Sequence, residues 1–327
     1  MTSIVTSMST AQIAALSTKQ IAALATSDIA ALSTTQAGVL STAQIAALST
    51  SDVVSLSTAA IAAFNASQLK ALGADDVASL ASSQVAALSS TQVTAFSTAQ
   101  IAAMTTSQVG ALAGNMSTAQ INVLSTTQVA GVSTTTMAAL STAQLAAIST
   151  KDIAALSTAQ LGAVSTTNLA SLTTAQITAM TTAQVGALAA SMSTTQIGAL
   201  TTTQAAGLST TVIGSLGTAQ LQAISTKDIA ALSTAQAAGL STTVLGNLTT
   251  AQLKAIETKD IAAMSTTQLG ALTTTQIGTL ATAQLAALSS TQVGSLGAKL
   301  STGQISALTT TQVAGVSTTT MAALSTA

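Results

Sequence analysis

Six residue types are missing from this 327-residue chain: arginine, cysteine, histidine, proline, tryptophan and tyrosine. Without cysteine or histidine the chain can form no disulfide and has no zinc-finger ligands. It also lacks the usual protein ligands of haem iron. Charged residues make up 5% of the chain and the net charge is −1, so there is no basic, aromatic-rich surface for nucleic acid. The composition predicts no catalytic residue, no metal, no cofactor and no nucleic-acid partner.

Long apolar runs are missing too, although 48% of the residues are hydrophobic. Ser, Thr or Gln interrupts the sequence every few positions, and a membrane helix needs about 20 consecutive apolar residues. The first residues, MTSIVTSMSTAQ, contain no basic group and no apolar run, unlike a secretory signal peptide. We therefore expect no membrane insertion and no signal peptide in this chain.

The chain is an array of one octapeptide, S/T-T-x-Q-Φ-A-A-L, where Φ is aliphatic. Thirty-eight octads, the first at residues 9–16, cover almost all of it. Three four-residue insertions interrupt them, at 113–116 (AGNM), 189–192 (AASM) and 297–300 (GAKL). Four residues are about one helical turn, so we expect each insertion to lengthen one helix or loop. The domain prediction is a single array over residues 1–327.

A longer period lies above the octad. Residues 117–143 and 301–327 are nearly the same sequence at an offset of 184 residues, and the first and third insertions have the same offset. Because two such periods would exceed the chain, which stops in mid-octad, we interpret it as a segment of a longer array or as an array that ends without a capping sequence.

The octad predicts a short helix that is restarted in every copy. In one continuous helix an eight-residue apolar pattern would drift by about 80° per repeat, and no face could stay buried. Position one is Ser or Thr in 31 octads, with Asn65, Gly73 and Gly217 among the exceptions, and these are N-cap residues. Position four is usually Gln, which completes a capping box. Positions five and eight are always apolar and lie on one face. The predicted fold is an all-α solenoid of short capped helices, one per octad, stabilised by stacking.

A β-solenoid is the alternative fold. Its strands should alternate with period two, whereas Q-Φ-A-A-L does not alternate, and alanine is depleted in strands. The short-helix solenoid is therefore favoured.

Three features of the sequence have the residue types of a possible site. The pairs Lys151-Asp152, Lys227-Asp228 and Lys259-Asp260 are explained by Asp replacing the capping Gln beside a solvent-facing Lys. Asp28, Asp52 and Asp76 hold the same fourth position. The adjacent Asp75 and Asp76 lack the glycine-rich nonapeptides of a calcium-binding β-roll. Five methionines replace core aliphatic residues: Met104, Met137, Met180, Met264 and Met321. We predict no catalytic, cofactor-binding or metal-binding residue.

Octads such as those in residues 40–48 and 280–288 resemble low-complexity repeats of very long proteobacterial surface proteins, often labelled haem utilisation or adhesion proteins. The resemblance covers essentially the whole chain. It implies a cell-surface or extracellular location, export by a signal outside this segment, and a structural or adhesive role. It carries over no functional residue.

The predicted function is therefore that of a non-enzymatic structural repeat protein that associates with itself into a filament, stalk or sheath. The alternative is a repetitive adhesin. If octads stacked in register, their Ser-Thr pairs would form hydroxyl ladders that could bind a glycan or ice.

Overall fold

The computed structural model describes residues 3–314 and residue 316. In this part of the chain the regular structure is helical throughout, and there is no β-strand. The chain divides into two compact units, Met1–Leu172 and Thr173–Ala327, each of which is described by itself. Each unit is an α-solenoid of short helices. The predicted fold is confirmed, and the β-solenoid alternative is wrong.

Unit one contains twenty α-helices and two 3₁₀ turns among its described residues. The 3₁₀ turns are Ile4–Ser7 and Ala113–Asn115, and the helices are α1 (Thr10–Ala14), α2 (Thr18–Ala22), α3 (Thr26–Ala30), α4 (Thr34–Gly38), α5 (Thr42–Ile45), α6 (Thr50–Ser55), α7 (Thr58–Ala62), α8 (Ala66–Ala71), α9 (Ala74–Ser79), α10 (Ser82–Ala86), α11 (Ser90–Ala95), α12 (Thr98–Ala103), α13 (Thr106–Leu112), α14 (Thr118–Asn122), α15 (Thr126–Ala130), α16 (Thr134–Ala139), α17 (Thr142–Ala147), α18 (Thr150–Ala155), α19 (Thr158–Gly162) and α20 (Thr166–Leu169).

Unit two contains seventeen α-helices and two 3₁₀ turns among its described residues. The 3₁₀ turns are Ala189–Ser191 and Gly297–Lys299, and the helices are α21 (Thr174–Ala179), α22 (Thr182–Leu188), α23 (Thr194–Gly198), α24 (Thr202–Ala206), α25 (Thr210–Ser215), α26 (Thr218–Ala223), α27 (Thr226–Ala230), α28 (Thr234–Gly239), α29 (Thr242–Asn247), α30 (Thr250–Ala255), α31 (Thr258–Ala262), α32 (Thr266–Gly270), α33 (Thr274–Gly278), α34 (Thr282–Ala286), α35 (Ser290–Leu296), α36 (Thr302–Ser306) and α37 (Thr310–Ala314).

Each helix begins and ends where its octad does, as α12 illustrates. Ser97 has an extended backbone, and its hydroxyl accepts a hydrogen bond from the backbone N–H of Gln100. The Gln100 side chain accepts one in return from the Ser97 N–H, at 2.8 Å. The helix stops at Met104, whose backbone is extended again. The predicted capping box is therefore present, and it restarts the helix in every copy that carries Ser or Thr before Gln.

The apolar residues of positions five and eight form the interior of each unit. Nearly all are buried, from Ile13 in unit one to Leu296 in unit two. Positions six and seven mostly face outward as half-buried or exposed Ala and Gly. Because helices of four to seven residues are unstable alone, this shared interior must supply much of their stability.

One turn of the solenoid is longer than three octads and shorter than four. Helices contact the helix three places along the chain, as in α9 with α12 and α4 with α7. Hydrogen bonds between turns join residues 24 to 31 apart in sequence. The commonest separation made by the position-four glutamines, 28 residues, is three and a half octads. Successive turns are therefore offset by about half an octad.

The four-residue insertions fill a full place in the solenoid. The 3₁₀ turn Ala113–Asn115 contacts α11 before it and α16 after it, which are the neighbours that a complete octad would have. The carbonyls of Ala113, Gly114 and Met116 accept hydrogen bonds from Gln144, 31, 30 and 28 residues later. In complete octads those carbonyls belong to positions five, six and eight. An insertion is therefore the second half of an octad, and we call it a half-octad.

The half-octads also lengthen the helix before them, as expected. The helices α13, α22 and α35 have seven residues and run directly into a 3₁₀ turn. The third of these junctions passes through Gly297 at φ 54°, a conformation that glycine adopts without a steric penalty. The buried residues of the half-octads are Ala113, Met116, Ala189, Met192 and Leu300.

Three of the described glycines, all at position seven, make room for a threonine methyl group of the preceding turn. An added Cβ would lie 1.7 Å from the Thr106 methyl at Gly131, 2.1 Å from the Thr182 methyl at Gly207 and 2.6 Å from the Thr210 methyl at Gly239. By contrast, a Cβ at Gly186 in α22 would meet no atom within 4 Å. Glycine is thus required at the first three positions for packing between turns.

We predict that Gly207→Ala destabilises unit two by about 1–3 kcal/mol because the new methyl group overlaps Thr182. Gly186→Ala, the matched control, should stabilise by up to about 1 kcal/mol because alanine favours the helix. Urea unfolding of both variants measures the difference. Adding Thr182→Ser to Gly207→Ala removes the overlapping methyl and should recover most of the loss; no recovery would contradict the packing explanation.

Candidate functional surface

The glutamine at position four joins consecutive turns as well as capping its own helix. In α8, Gln68 accepts a hydrogen bond from the Asn65 N–H at 2.8 Å. Its Nε2 atom donates to the carbonyls of Ala37, Gly38 and Leu40, at 3.0, 3.3 and 2.8 Å. The side chain is 1% exposed. We call the contact between Nε2 and the earlier carbonyls the turn bridge.

Turn bridges repeat through both units. In unit one they are made by Gln36, Gln44, Gln68, Gln84, Gln92, Gln100, Gln108, Gln120, Gln128, Gln144 and Gln160. In unit two they are made by Gln204, Gln220, Gln236, Gln252, Gln268, Gln276, Gln284, Gln292, Gln304 and Gln312. Carbonyls at helix C-terminal ends, which helices leave without an internal donor, are thereby satisfied.

Aspartate at position four exchanges donor and acceptor in the contact with the preceding turn. A carboxylate cannot donate, and several of these residues instead accept from a threonine hydroxyl of the preceding turn. The distances are 2.9 Å for Thr50 to Asp76, 2.8 Å for Thr126 to Asp152 and 2.6 Å for Thr234 to Asp260. The capping prediction for aspartate is confirmed in part: Asp52 and Asp76 accept from the N-cap N–H, and Asp152 and Asp228 accept from the hydroxyl of the N-cap serine.

The lysines of the Lys-Asp pairs lie where they were predicted. Lys151, Lys227 and Lys259 are exposed, and the aspartate that follows each of them is buried. Asp75 is exposed and Asp76 is half-buried. In the described part of the chain, no three His, Cys, Asp or Glu residues are grouped so that they could hold a metal ion.

The predicted core methionines are confirmed where the structure describes them. Met104, Met137, Met180 and Met264 are at most 4% exposed. Met321 lies outside the described residues. No helix among those described is long and apolar enough to cross a lipid bilayer.

Lysine replaces glutamine in one turn bridge. The half-octad at 297–300 has no position four, and Lys299 Nζ donates to the carbonyls of Gly270 and Leu272 at 2.7 and 2.8 Å. Ala60, Val212 and Val244 hold position four elsewhere, and none of these side chains can donate. Sequence reasoning missed the turn bridge altogether, although the near-constant glutamine was a signal that could have pointed to it.

The pKa values of Asp28 and Lys259 are shifted. A hydrogen bond from the Ser3 hydroxyl at 2.7 Å, together with the Ile4 N–H at 3.0 Å, lowers the pKa of Asp28. Because the folded-state pKa is depressed, this contact stabilises at neutral pH and is lost as the pH falls through that pKa. A hydrogen bond and attraction to Glu257 raise the pKa of Lys259.

The Ser and Thr hydroxyls do not stack in the register that a ladder would require. Position-one hydroxyls cap helices. A position-two threonine of one turn lies against position four of the next, as in Thr126 with Asp152, or against position seven, as in Thr182 with Gly207. The half-octad offset between turns therefore separates equivalent hydroxyls.

An open groove recurs where two turns meet. One example is lined by Thr6, Met8, Ser9 and Thr10 on one turn and by Ala31, Ser33, Thr35 and Gln36 across from them, and has a volume of about 440 Å³. A second, at about 470 Å³, is built from the same octad positions around Lys254, Glu257 and Lys259. We call this feature the inter-turn groove.

Comparison with known proteins identifies the repeat. A family model described as the ALTTAQ repeat matches residues 22–50, 45–82, 77–113, 133–166, 153–190, 213–242, 245–282, 253–290 and 261–299, which together make up most of the chain. No curated protein and no solved structure matches it.

Replacing a bridging glutamine by glutamate tests the turn bridge. Gln68→Glu keeps the oxygen that caps α8 but places a carboxylate oxygen against three carbonyls. We expect a loss of about 3–5 kcal/mol in the free energy of unfolding at neutral pH, as for an unpaired buried charge. These surroundings raise the pKa of the new carboxyl above its unfolded value, so the loss should shrink as the pH falls through that raised pKa.

The matched control is Gln12→Glu. Gln12 is exposed and accepts the N–H of Ser9 at 2.8 Å, but among the described residues it makes no turn bridge. It should change stability by no more than about 0.5 kcal/mol. Urea midpoints at neutral and acidic pH give both values. Equal losses in the two variants would contradict the proposed importance of the turn bridge.

A missing turn bridge can also be added. Val244 is buried in α29. It lies 31 residues after Ile213 and 28 residues after Leu216, which are the separations between bridging glutamines and their carbonyl partners elsewhere. Val244→Gln should slow amide hydrogen exchange in α29, consistent with about 1 kcal/mol for one net hydrogen bond. Thr243→Gln, at the exposed third position, is the control. Faster exchange in the Val244 variant than in the control would contradict this prediction.

Proposed function

Because the chain belongs to the ALTTAQ repeat family, we propose that it is a structural repeat protein of a bacterial cell surface or the extracellular space, which associates with copies of itself into a filament, stalk or sheath. The observation that carries the proposal is the turn bridge. It fastens each turn to the one before through the same side chain of the repeat, so an array of any length is held together in the same way.

The outer surface supports self-association. It presents mainly hydroxyls, Ala and Gly, and the net charge of −1 gives two copies little reason to repel each other. A surface that repeats along one chain repeats with the same spacing along a second copy. Many weak contacts of one kind can therefore form together, which raises the overall affinity without any strong single contact.

The cell-surface location is supported by the resemblance of the octads to repeats of proteobacterial surface proteins. The second candidate function is adhesion to a glycan, which the inter-turn groove favours, because ligand pockets are typically about 300–1,000 Å³ and this groove is lined by hydroxyls. Ice binding is disfavoured, because equivalent hydroxyls on neighbouring turns are out of register.

Negative-stain electron microscopy and sedimentation velocity on the purified chain test self-association. We expect uniform filaments whose assembly depends on concentration and changes little with salt, because few charges are involved. The variant Ala46→Lys/Ala86→Lys places like charges at two exposed position-six residues and should disperse the filaments while the helical circular dichroism signal is retained. If the chain is monomeric at all concentrations and is retained on a glycan column, self-association is contradicted and the adhesin function is supported instead.

A further inference from the structure

Two neighbouring stretches of unit two are near copies that differ at one inter-turn groove. Residues 201–232 and 233–264 share QAAGLSTTV and TKDIAA at the same places. Within them, the segment GTAQLQAISTK at 217–227 corresponds to TTAQLKAIETK at 249–259. Gln222 and Ser225 of the first copy are thus replaced by Lys254 and Glu257 in the second. Both changes fall on positions that line the inter-turn groove.

The groove of the second copy is charged. Its floor is formed by Lys254, Glu257 and Lys259, and its opposite wall by Ala281, Ala283 and Gln284. Lys259 Nζ lies 2.7 Å from a Glu257 carboxylate oxygen, the one ion pair in the described part of the chain. The two groups therefore hold each other in place at the groove.

Lys254 is available for a ligand, whereas its counterpart is not. The Gln222 amide of the first copy donates to the Asn247 carbonyl at 3.2 Å, so it is engaged by its own solenoid. Lys254 is exposed, and no carboxylate lies within ion-pair distance of it among the described residues. The opposite wall bears small alanine side chains, which leave the volume of about 470 Å³ open.

We propose that this groove binds an acidic sugar residue of a polysaccharide, a uronate. The sugar carboxylate accepts from the Lys254 ammonium, which lies outside the ion pair. The sugar hydroxyls donate to the Glu257 carboxylate. A ligand with both an anion and hydroxyl donors matches a groove that has a cation and an anion side by side, whereas a simple inorganic anion such as sulfate has no hydroxyl donor to offset its repulsion by Glu257. This inference goes beyond self-association and does not depend on it.

Binding of oligogalacturonate to the whole chain, measured by isothermal titration calorimetry, tests the proposal. We expect one site per chain. Lys254→Gln, which restores the residue of the first copy, should weaken binding about tenfold, the equivalent of one charge-assisted hydrogen bond. Lys151→Gln is the control, because it removes the same charge from another exposed lysine, in an octad that has Ser149 where the groove has Glu257. It should leave the affinity unchanged.

A gain-of-function variant guards against indirect effects. The variant Gln222→Lys/Ser225→Glu/Thr249→Ala gives the first copy the groove charges of the second and an alanine where the second has Ala281, and the number of sites should rise from one to two. Equal weakening by Lys254→Gln and Lys151→Gln would show non-specific charge attraction and overturn the proposal. So would equal affinity for a neutral galactose oligomer, full competition by inorganic phosphate, or no binding by the unmodified chain.

Discussion

The position-four glutamine is the interaction on which the structure depends. One amide group serves two purposes: its oxygen starts a helix, and its nitrogen holds the end of a helix in the preceding turn. Both partners are main-chain groups that short helices leave without an internal partner. A solenoid of four- to seven-residue helices has such ends everywhere. Without a side chain able to reach both, these ends would depend on water, and the turns would be held by their apolar interior alone.

The turn bridge also explains why so few residue types suffice. Asparagine can still donate, as Asn168 does to the Leu140 carbonyl at 2.7 Å. Several aspartates instead accept from a threonine of the preceding turn, as Asp152 does. Valine and alanine give up the hydrogen bond. Ala205 and Ala237 occupy position five near Val212 and Val244, so residues 201–248 combine smaller core side chains with fewer turn bridges. Stability along unit two should therefore be uneven, even though the repeat is nearly uniform.

Local features of the fold were predictable from the sequence, and distant ones were not. Caps at Ser97 or Asn65 and buried residues such as Met137 follow from spacing within one octad. The turn of 28 residues does not follow from the spacing, because the Gln68 amide donates to backbone carbonyls. Every residue has a backbone carbonyl, so the sequence does not show which ones are the acceptors. The half-octads could have been recognised in the sequence, because Ala113 and Met116 match positions five and eight of an octad. Of the candidate surface, the exposed lysines were predicted, but the inter-turn groove depends on the turn length.

The half-octads show how the array can change its surface without disturbing its interior. A half-octad supplies the two inward residues and the carbonyls that a later glutamine needs, as Ala113 and Met116 do for Gln144. It omits the cap, the outward hydroxyls and the glutamine. The interior therefore continues unbroken, while the outer face loses one set of polar groups. Since a 28-residue turn holds three and a half octads, equivalent positions return only after two turns, or seven octads. A partner that binds this surface therefore contacts groups whose spacing is set by the solenoid turn. The half-octads interrupt that regular spacing.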